Sequence, residues 1–307
     1  MQERKKVYGG QAVVEGVMFG GREYTVTAIR RTDNSIEYYR LPQQESKTVR
    51  TLKKIPFIRG IVAIMTASIT GSKHLNFATE RYEQDPSEDE KLEENKQKES
   101  KLVTYLGLSV VAILSFLFGK VIFTLTPAIA ADFLRPIFPS DFGQIVAESI
   151  LKVILLLSYL YFISLTPLIK RVFQYHGAEH KVINAYENNM PLTIEHVQAQ
   201  TRLHYRCGSS FIMFTVVIGM FLYAFFPTDP LWFRIVNRLL LIPVVLGLSF
   251  EFLQLTNKLR DVPVLRYLGL PGLWLQLLTT KEPTDDQVEV AIYSFKELLR
   301  LENEKAS

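Results

Sequence analysis

Three imidazoles and one thiol, gathered in a short stretch, are the side chains of this sequence best suited to chemistry. His176 and His180 stand four apart in Tyr175-His176-Gly177-Ala178-Glu179-His180-Lys181, and His204 and Cys207 follow in His204-Tyr205-Arg206-Cys207. Four of the five histidines and the only cysteine of the 307 residues fall between positions 176 and 207, where even scattering would put about half of one histidine. On a helix continuing from the apolar segment before them, His176 and His180 lie on one face and can hold one metal ion. Glu179 sits beside the second. Read as a pattern, His-x-x-Glu-His is the inverted zinc-protease motif, in which two imidazoles bind metal and the glutamate activates water. The expected cofactor is a divalent metal, zinc above others, with His204 or Cys207 as third ligand. Glu251 or Glu15 is expected as an outer or alternative ligand, and Arg202 and Arg206 belong to the same surround. Glu15, an acid inside an apolar glycine-rich run, is a second catalytic candidate beside Glu179.

Each of these residues also has a plainer reading. Histidines and arginines at the rim of a helix bundle bond to helix ends or lipid phosphates. Glu179 can pair with Arg202 or Arg206 as a structural salt bridge, Glu15 can cap or pair with a nearby lysine, and a lone cysteine packs as a small apolar residue. His74, beside Lys73, reads as a surface or interfacial residue, and His196 as exposed on a short helix.

The elements that must position this cluster are apolar. Hydrophobic residues make up 48% of the chain, yet charge concentrates in residues 1–101 and 256–307 and leaves the middle to long apolar runs. Leu102 to Thr126 and Ile150 to Ile169 have the roughly 20 residues that cross a bilayer. Ser210 to Pro227 is shorter, and Leu239 to Leu255 is interrupted by Pro243. Four spans are expected over residues 102–255. Arg135 is the only basic residue between Lys120 and Lys152, whereas Lys170, Arg171, Lys181, Arg202 and Arg206 crowd the loop at 170–209, which marks that loop and both termini as cytoplasmic. Residues 55–75 are apolar but carry Arg59 and Lys73, and read as an interfacial or buried amphipathic helix. The fold class is therefore mainly α, a polytopic membrane bundle. Residues 1–54 add a small cytoplasmic β-hairpin region, from the alternation of Tyr24 to Ile29 and Ile36 to Tyr39 around Thr32-Asp33-Asn34-Ser35. The Gly9-Gly10 and Gly20-Gly21 pairs suggest tight turns or close backbone approach. Residues 76–101 form a charged linker. Residues 256–307 end in an amphipathic helix, with Thr284 and Gln287 at capping-box spacing.

The net charge of +4 fits basic residues collected beside spans; no basic, aromatic-interleaved stripe points to nucleic acid. The expected partner is the lipid bilayer. No secretory leader is seen behind Met1-Gln2-Glu3-Arg4, and one cysteine permits no internal disulfide.

Four blocks resemble the bacterial YqhQ-like family: Gly9 through Met18, His176 through Lys181, Arg202 through Phe211, and Pro271 through Gln276 with Thr279 through Pro283. Tyr205 departs from the proline expected in that family's His-Pro-Arg-Cys-Gly. The resemblance implies a multi-pass protein of the bacterial cell membrane, of unknown function and described in general terms as a metal-dependent enzyme. Two functions then compete. One is a metal-dependent hydrolase at the cytoplasmic membrane face, acting on a lipid, a lipid-linked precursor or a membrane peptide. The other is a non-enzymatic membrane factor whose cytoplasmic elements dock a translocase, insertase or protease.

Overall fold

A computed structural model describes residues 8–43, 45–82, 84–88, 118–119 and 121–305. The charged linker beyond residue 88 and most of the span expected at Leu102 to Thr126 lie outside these residues. Four strands come first: β1 (Gly9–Val13), β2 (Gly16–Gly20), β3 (Tyr24–Arg30) and β4 (Ile36–Pro42), an antiparallel meander in sequence order. The hairpin expected from Tyr24 to Tyr39 is present, with Tyr24 opposite Pro42 and Arg30 opposite Ile36. The glycine-rich run before it forms a second hairpin, so the sheet is larger than expected. Its two-residue loop puts Glu15 at φ 54°, in the left-handed region. Alternation is not visible there because glycines at the start of β1 and at both ends of β2 hide which positions face inward.

Helices build the rest: α1 (Lys47–Leu52), α2 (Ile58–Glu80), α3 (Thr126–Phe133), α4 (Asp141–Ile163), α5 (Pro167–Glu187), α6 (Ile194–Gln198), α7 (Gly208–Tyr223), α8 (Leu231–Leu240), α9 (Ile242–Lys258), α10 (Leu270–Thr279) and α11 (Asp285–Glu304). Among the described residues α4 alone is by itself long and apolar enough to cross a membrane; α8 and α9 qualify only jointly and are bent by 51° at their junction. The second expected span is shifted toward the N-terminus. Ser140 starts it, its Oγ accepting from the Gly143 N–H at 3.1 Å, and it ends at Ile163. Pro167 then opens a new helix, a place where its missing N–H costs nothing. His176 and His180 therefore ride on α5, a separate helix after a break, rather than on a continuation of the span. Likewise the break in the fourth expected span falls at Leu241, and Pro243 sits harmlessly in the first turn of α9.

One face of the sheet packs on α11 and α5. Phe19, Val26 and Ala28 meet Phe295, Leu298 and Val288 from α11 and Tyr175, Ala178 and Val182 from α5, each large apolar side chain contributing roughly 1.5–3 kcal/mol on leaving water. The expected amphipathic helix thus finds its partner surface, and its capping box forms, Gln287 Oε1 accepting from the Thr284 N–H at 3.0 Å. The other face packs on the C-terminal half of α2 through Val13, Ile29, Phe77 and Ala78. There His74 is fully buried, with Thr27 Oγ1 at 2.7 Å from Nδ1 and Thr25 Oγ1 at 2.8 Å from Nε2. This corrects the surface reading: the imidazole reaches across to two threonines on β3 that only the folded sheet presents. Burial holds its pKa down at about 4.

The N-terminal half of α2 touches α9 instead. Gly60 lies against Phe250, and Arg59 Nε donates to Glu251 Oε1 at 2.8 Å. A separate apolar core, with Leu156, Leu160, Met213, Val216 and Leu275, joins α4, α7 and α10. Across α4 and α8, Glu148 accepts from Arg234 Nη2 at 2.8 Å and from Arg238 Nε at 3.0 Å, all three fully or almost fully buried.

Candidate metal centre

The centre is assembled on one face of α5. His176, Glu179, His180 and Ile183 follow the i, i+3, i+4, i+7 spacing of a helix face, and all four line a cavity of about 320 Å³. Gly177 and Ala178 point the other way. A Cβ on Gly177 would sit 2.1 Å from the Lys281 carbonyl, so only glycine lets the segment after α10 lie this close to α5. That contact is fixed by the Lys281 N–H donating to the Phe173 carbonyl at 2.8 Å.

Close approach settles the state of both imidazoles. His176 Nδ1 lies 2.8 Å from the Thr279 carbonyl, and His180 Nδ1 lies 2.6 Å from the Arg202 carbonyl. A carbonyl only accepts, so each Nδ1 carries a proton, and in the neutral ring that tautomer leaves the lone pair on Nε2. This is the arrangement that orients metal-binding histidines elsewhere. Cys207 Sγ lies 3.1 Å from His176 Nε2. Cys207 is the N-cap of α7, with the Ser209 N–H at 3.4 Å and Ser209 Oγ at 3.1 Å from the sulfur, so the positive end of the helix dipole faces it. Ligand atoms of His176, His180 and Cys207 all lie within 4.8 Å of one another. A tetrahedral ion at the usual N and S distances needs ligand separations of about 3.4–3.7 Å, within a small side-chain rotation of those seen. The cluster can hold a metal.

Of the two third-ligand candidates, the structure brings Cys207 and leaves His204 aside. His204 lines the cavity, and its ring centroid is 5.7 Å from that of His180, but its Nε2 is turned toward Glu187 Oε1 at 3.7 Å, a charge contact too long for a hydrogen bond. Gln276 clamps the His204 backbone, accepting from its N–H and donating to its carbonyl, both at 2.8 Å. Burial lowers the His204 pKa. Burial also opposes charge on Glu187, but His204 and Arg206 outweigh it and hold the carboxyl at about 2.

Glu179 is buried beside the ligands, and neither arginine takes it. Arg202 donates to the Thr280 carbonyl at 2.6 Å and to Glu282 at 3.1 Å, while Arg206 pairs with Glu187. The salt-bridge alternative for Glu179 is thus replaced by two other pairs. Burial pushes its carboxyl up to about 7, against the opposing pull of His176 and of the nearby Gly10 N–H. A Cβ on Gly10 would meet Glu179 Cγ at 2.9 Å, which confirms the close approach expected of that glycine pair.

The two remaining acids are elsewhere. Glu15 accepts from Arg171 Nε at 2.6 Å and from the Tyr175 hydroxyl at 3.3 Å, outside the cavity wall. Glu251 is engaged by Arg59 and by the Phe57 N–H at 3.1 Å, and is no part of the cluster. Both are expected from the sequence as outer or alternative ligands; each instead pairs with an arginine remote in sequence. Sequence reading missed Gln276, Thr279 and Lys281, whose contributions run largely through backbone carbonyls or a clamp on backbone. The only signal for them was that they lie in the block from Pro271 through Pro283.

Residues 55–301 match the family described as "Protein of unknown function (DUF1385)". The chain is also 65% identical over 295 residues to "Uncharacterized protein YqhQ" of Bacillus subtilis (strain 168), a match that covers 96% of this chain and 93% of the relative. No solved structure matches it. With the His, Glu and Cys blocks inside both matched regions, the chain belongs to the DUF1385 family, whose members include YqhQ and whose function is unknown.

Proposed function

We propose that this protein is a metal-dependent hydrolase working at a membrane face, with His176, His180 and Cys207 as metal ligands and Glu179 as general base. The observation that carries the reading is the count and aim of the donors: three protein ligands converge, and a third histidine, His204, that could have closed the site as a fourth ligand faces Glu187 instead. Structural zinc sites take four protein ligands, whereas catalytic ones keep a position open. An imidazole and thiolate donor set suits zinc best. Such an ion supplies Lewis acidity to a substrate carbonyl or phosphoryl group.

This chain's own groups do the rest. The Thr279 and Arg202 carbonyls hold the two imidazoles in the binding tautomer. Glu179, buried at the cavity wall, accepts a proton from the attacking water and returns it to the leaving group; a carboxyl held near pH 7 suits both halves of that exchange. Membrane attachment draws support from α4 and from large apolar side chains exposed on the bundle, among them Ile150, Ile154 and Phe162 on α4, Phe221 on α7 and Trp232 and Leu240 on α8. In this reading the multi-pass topology places the cavity and both termini on the cytoplasmic side.

The test is metal content and turnover measured together on detergent-purified protein. Wild type should hold about one zinc per chain, lost in His176→Ala/His180→Ala. Glu179→Gln should keep the zinc and lose about 10²–10⁴-fold in rate. A full rate in Glu179→Gln removes the hydrolase assignment, and zinc retained without His176 and His180 removes the centre.

A further inference from the structure

The sheet has two edges, and the chain treats them differently. β4 carries Glu37 and Arg40, paired with Arg31 and Glu297, and ends in Pro42. Charges and proline are the usual guards against another strand adding on. β1 has none of these. Its sequence is Gly-Gly-Gln-Ala-Val, it stays partly exposed from Gly9 to Ala12, and among the described residues its backbone makes no backbone hydrogen bond beyond the β1–β2 ladder. This unguarded edge forms one wall of the metal cavity, where Gly9, Gly10, Gln11 and Ala12 stand together with His176, Glu179, His180 and Cys207.

Strand geometry says which groups point into the cavity. Val13 and Gly16 close the two-residue hairpin, and Gln11 pairs with Met18 and Gly9 with Gly20. The N–H and C=O of these residues face β2, so those of Gly10 and Ala12 face outward. The Glu179 side chain lies against this edge, since a Cβ on Gly10 would meet its Cγ and Cδ at 2.9 Å. Glu179 therefore stands beside the Gly10 rung of a ladder, and among the described residues the Gly10 carbonyl and both groups of Ala12 take no backbone hydrogen bond. Rungs on one side of a strand repeat every two residues, about 7 Å. A strand paired to Ala12 has its next peptide unit beside Glu179 and the metal ligands.

We infer that the substrate is a polypeptide segment bound in extended form as an added strand along β1. Resting on the hydrolase reading, this names its substrate class: main-chain hydrogen bonds align the peptide, and the bond lying one rung from Ala12 is the one cut. The absence of side chains on Gly9 and Gly10 leaves the approach clear. Water adds across the amide, its oxygen joining the carbonyl carbon as the C–N bond breaks and its two protons passing, by way of Glu179, to the leaving nitrogen, so that a carboxylate and an ammonium separate. A lipid ester would have no use for a row of alternating donors and acceptors.

The edge can be tested apart from turnover. Ala12→Pro deletes the outward donor away from Glu179 without touching the β1–β2 ladder, a substitution edge strands tolerate. Zinc-loaded Glu179→Gln protein in nanodiscs should retain members of a random library of short synthetic peptides. Adding Ala12→Pro should weaken the binding of a retained peptide about tenfold at unchanged zinc content. The second measurement needs no further change in the protein: N-methylating alternate backbone nitrogens of that peptide should abolish binding in one register and spare it in the other. Peptides bound equally by Ala12→Pro, and indifferent to N-methylation in both registers, overturn edge pairing while zinc and turnover leave the hydrolase standing. If no peptide is retained, the substrate class is wrong. If wild-type protein free of zinc cuts the retained peptides, the metal reading fails on its own.

Discussion

Two regions of this molecule bury polar side chains, and they dispose of them in opposite ways. On the far side of the bundle Glu148 is enclosed by Arg234 and Arg238, with Gln144 Oε1 taking a further guanidinium proton at 3.0 Å and the Tyr223 ring lying 3.9 Å beneath Arg238. Charge meets charge there. At the candidate metal centre the half-buried His176 and the buried His180 are held by backbone carbonyls from behind, so that their reactive atoms converge on a cavity and on one another. The lesson is that burial and polarity do not by themselves mark a site. What marks it is a donor whose supports are complete on one side while its working atom is turned toward open space.

The comparison can be broken most forcefully at Glu148. Glu148→Ala strands two buried guanidinium groups and should cost about 3–5 kcal/mol, read as a large fall in thermal stability with zinc binding per folded chain unchanged. An unaltered Tm would mean that this cluster is not the closed ion pair described. His74 sharpens the contrast as a buried polar group satisfied without any charge. Its imidazole sits near pH 4 in the fold and near the ordinary 6.5 when unfolded, so the unfolded chain binds the proton first. Stability is then complete above pH 6.5 and declines by about 2–3 kcal/mol as pH falls to 4. His74→Gln, able to keep a threonine contact, should flatten that part of the urea-midpoint curve. Gly177→Ala probes the carbonyl support directly. Its new Cβ would collide with the Lys281 carbonyl, disturb the Thr279 contact and weaken zinc affinity about 10–100-fold, as measured by competition with a chelator. The smallest effect belongs to Glu251→Gln. Its pair with Arg59 is partly exposed, so about 1 kcal/mol or less is expected, with zinc content untouched.

How much of this could be read from the residues follows from how local each feature is. The ligand cluster was legible because His176 and His180 are one helical turn apart and Cys207 is near in sequence. The capping box at Thr284 and the alternation of β3 and β4 are equally short-range signals. Glu15 and Glu251 were misplaced because their partners, Arg171 and Arg59, lie 156 and 192 residues away. His74 was misread for the same reason, since Thr25 and Thr27 become its neighbours only after β3 has formed. Span boundaries slipped where a proline can either end a helix or begin one: at Pro167 it begins α5. The first hairpin was hidden by glycines, which show no face. Backbone carbonyls are invisible to any reading of side-chain types, and they hold the centre together.

The contact between α5 and the segment at Thr279–Lys281 has a consequence in time as well as in space. His176 is made more than a hundred residues before the carbonyl that fixes its tautomer. A ribosome that has finished the bundle through α9 has therefore produced every metal ligand, but not yet a place to put the metal. Only when the chain beyond Thr279 has emerged and settled against Gly177 do the three donors acquire their common aim. On the proposed metal reading, nascent or C-terminally cut chains would be held back from metal by geometry alone, and loading would mark completed synthesis.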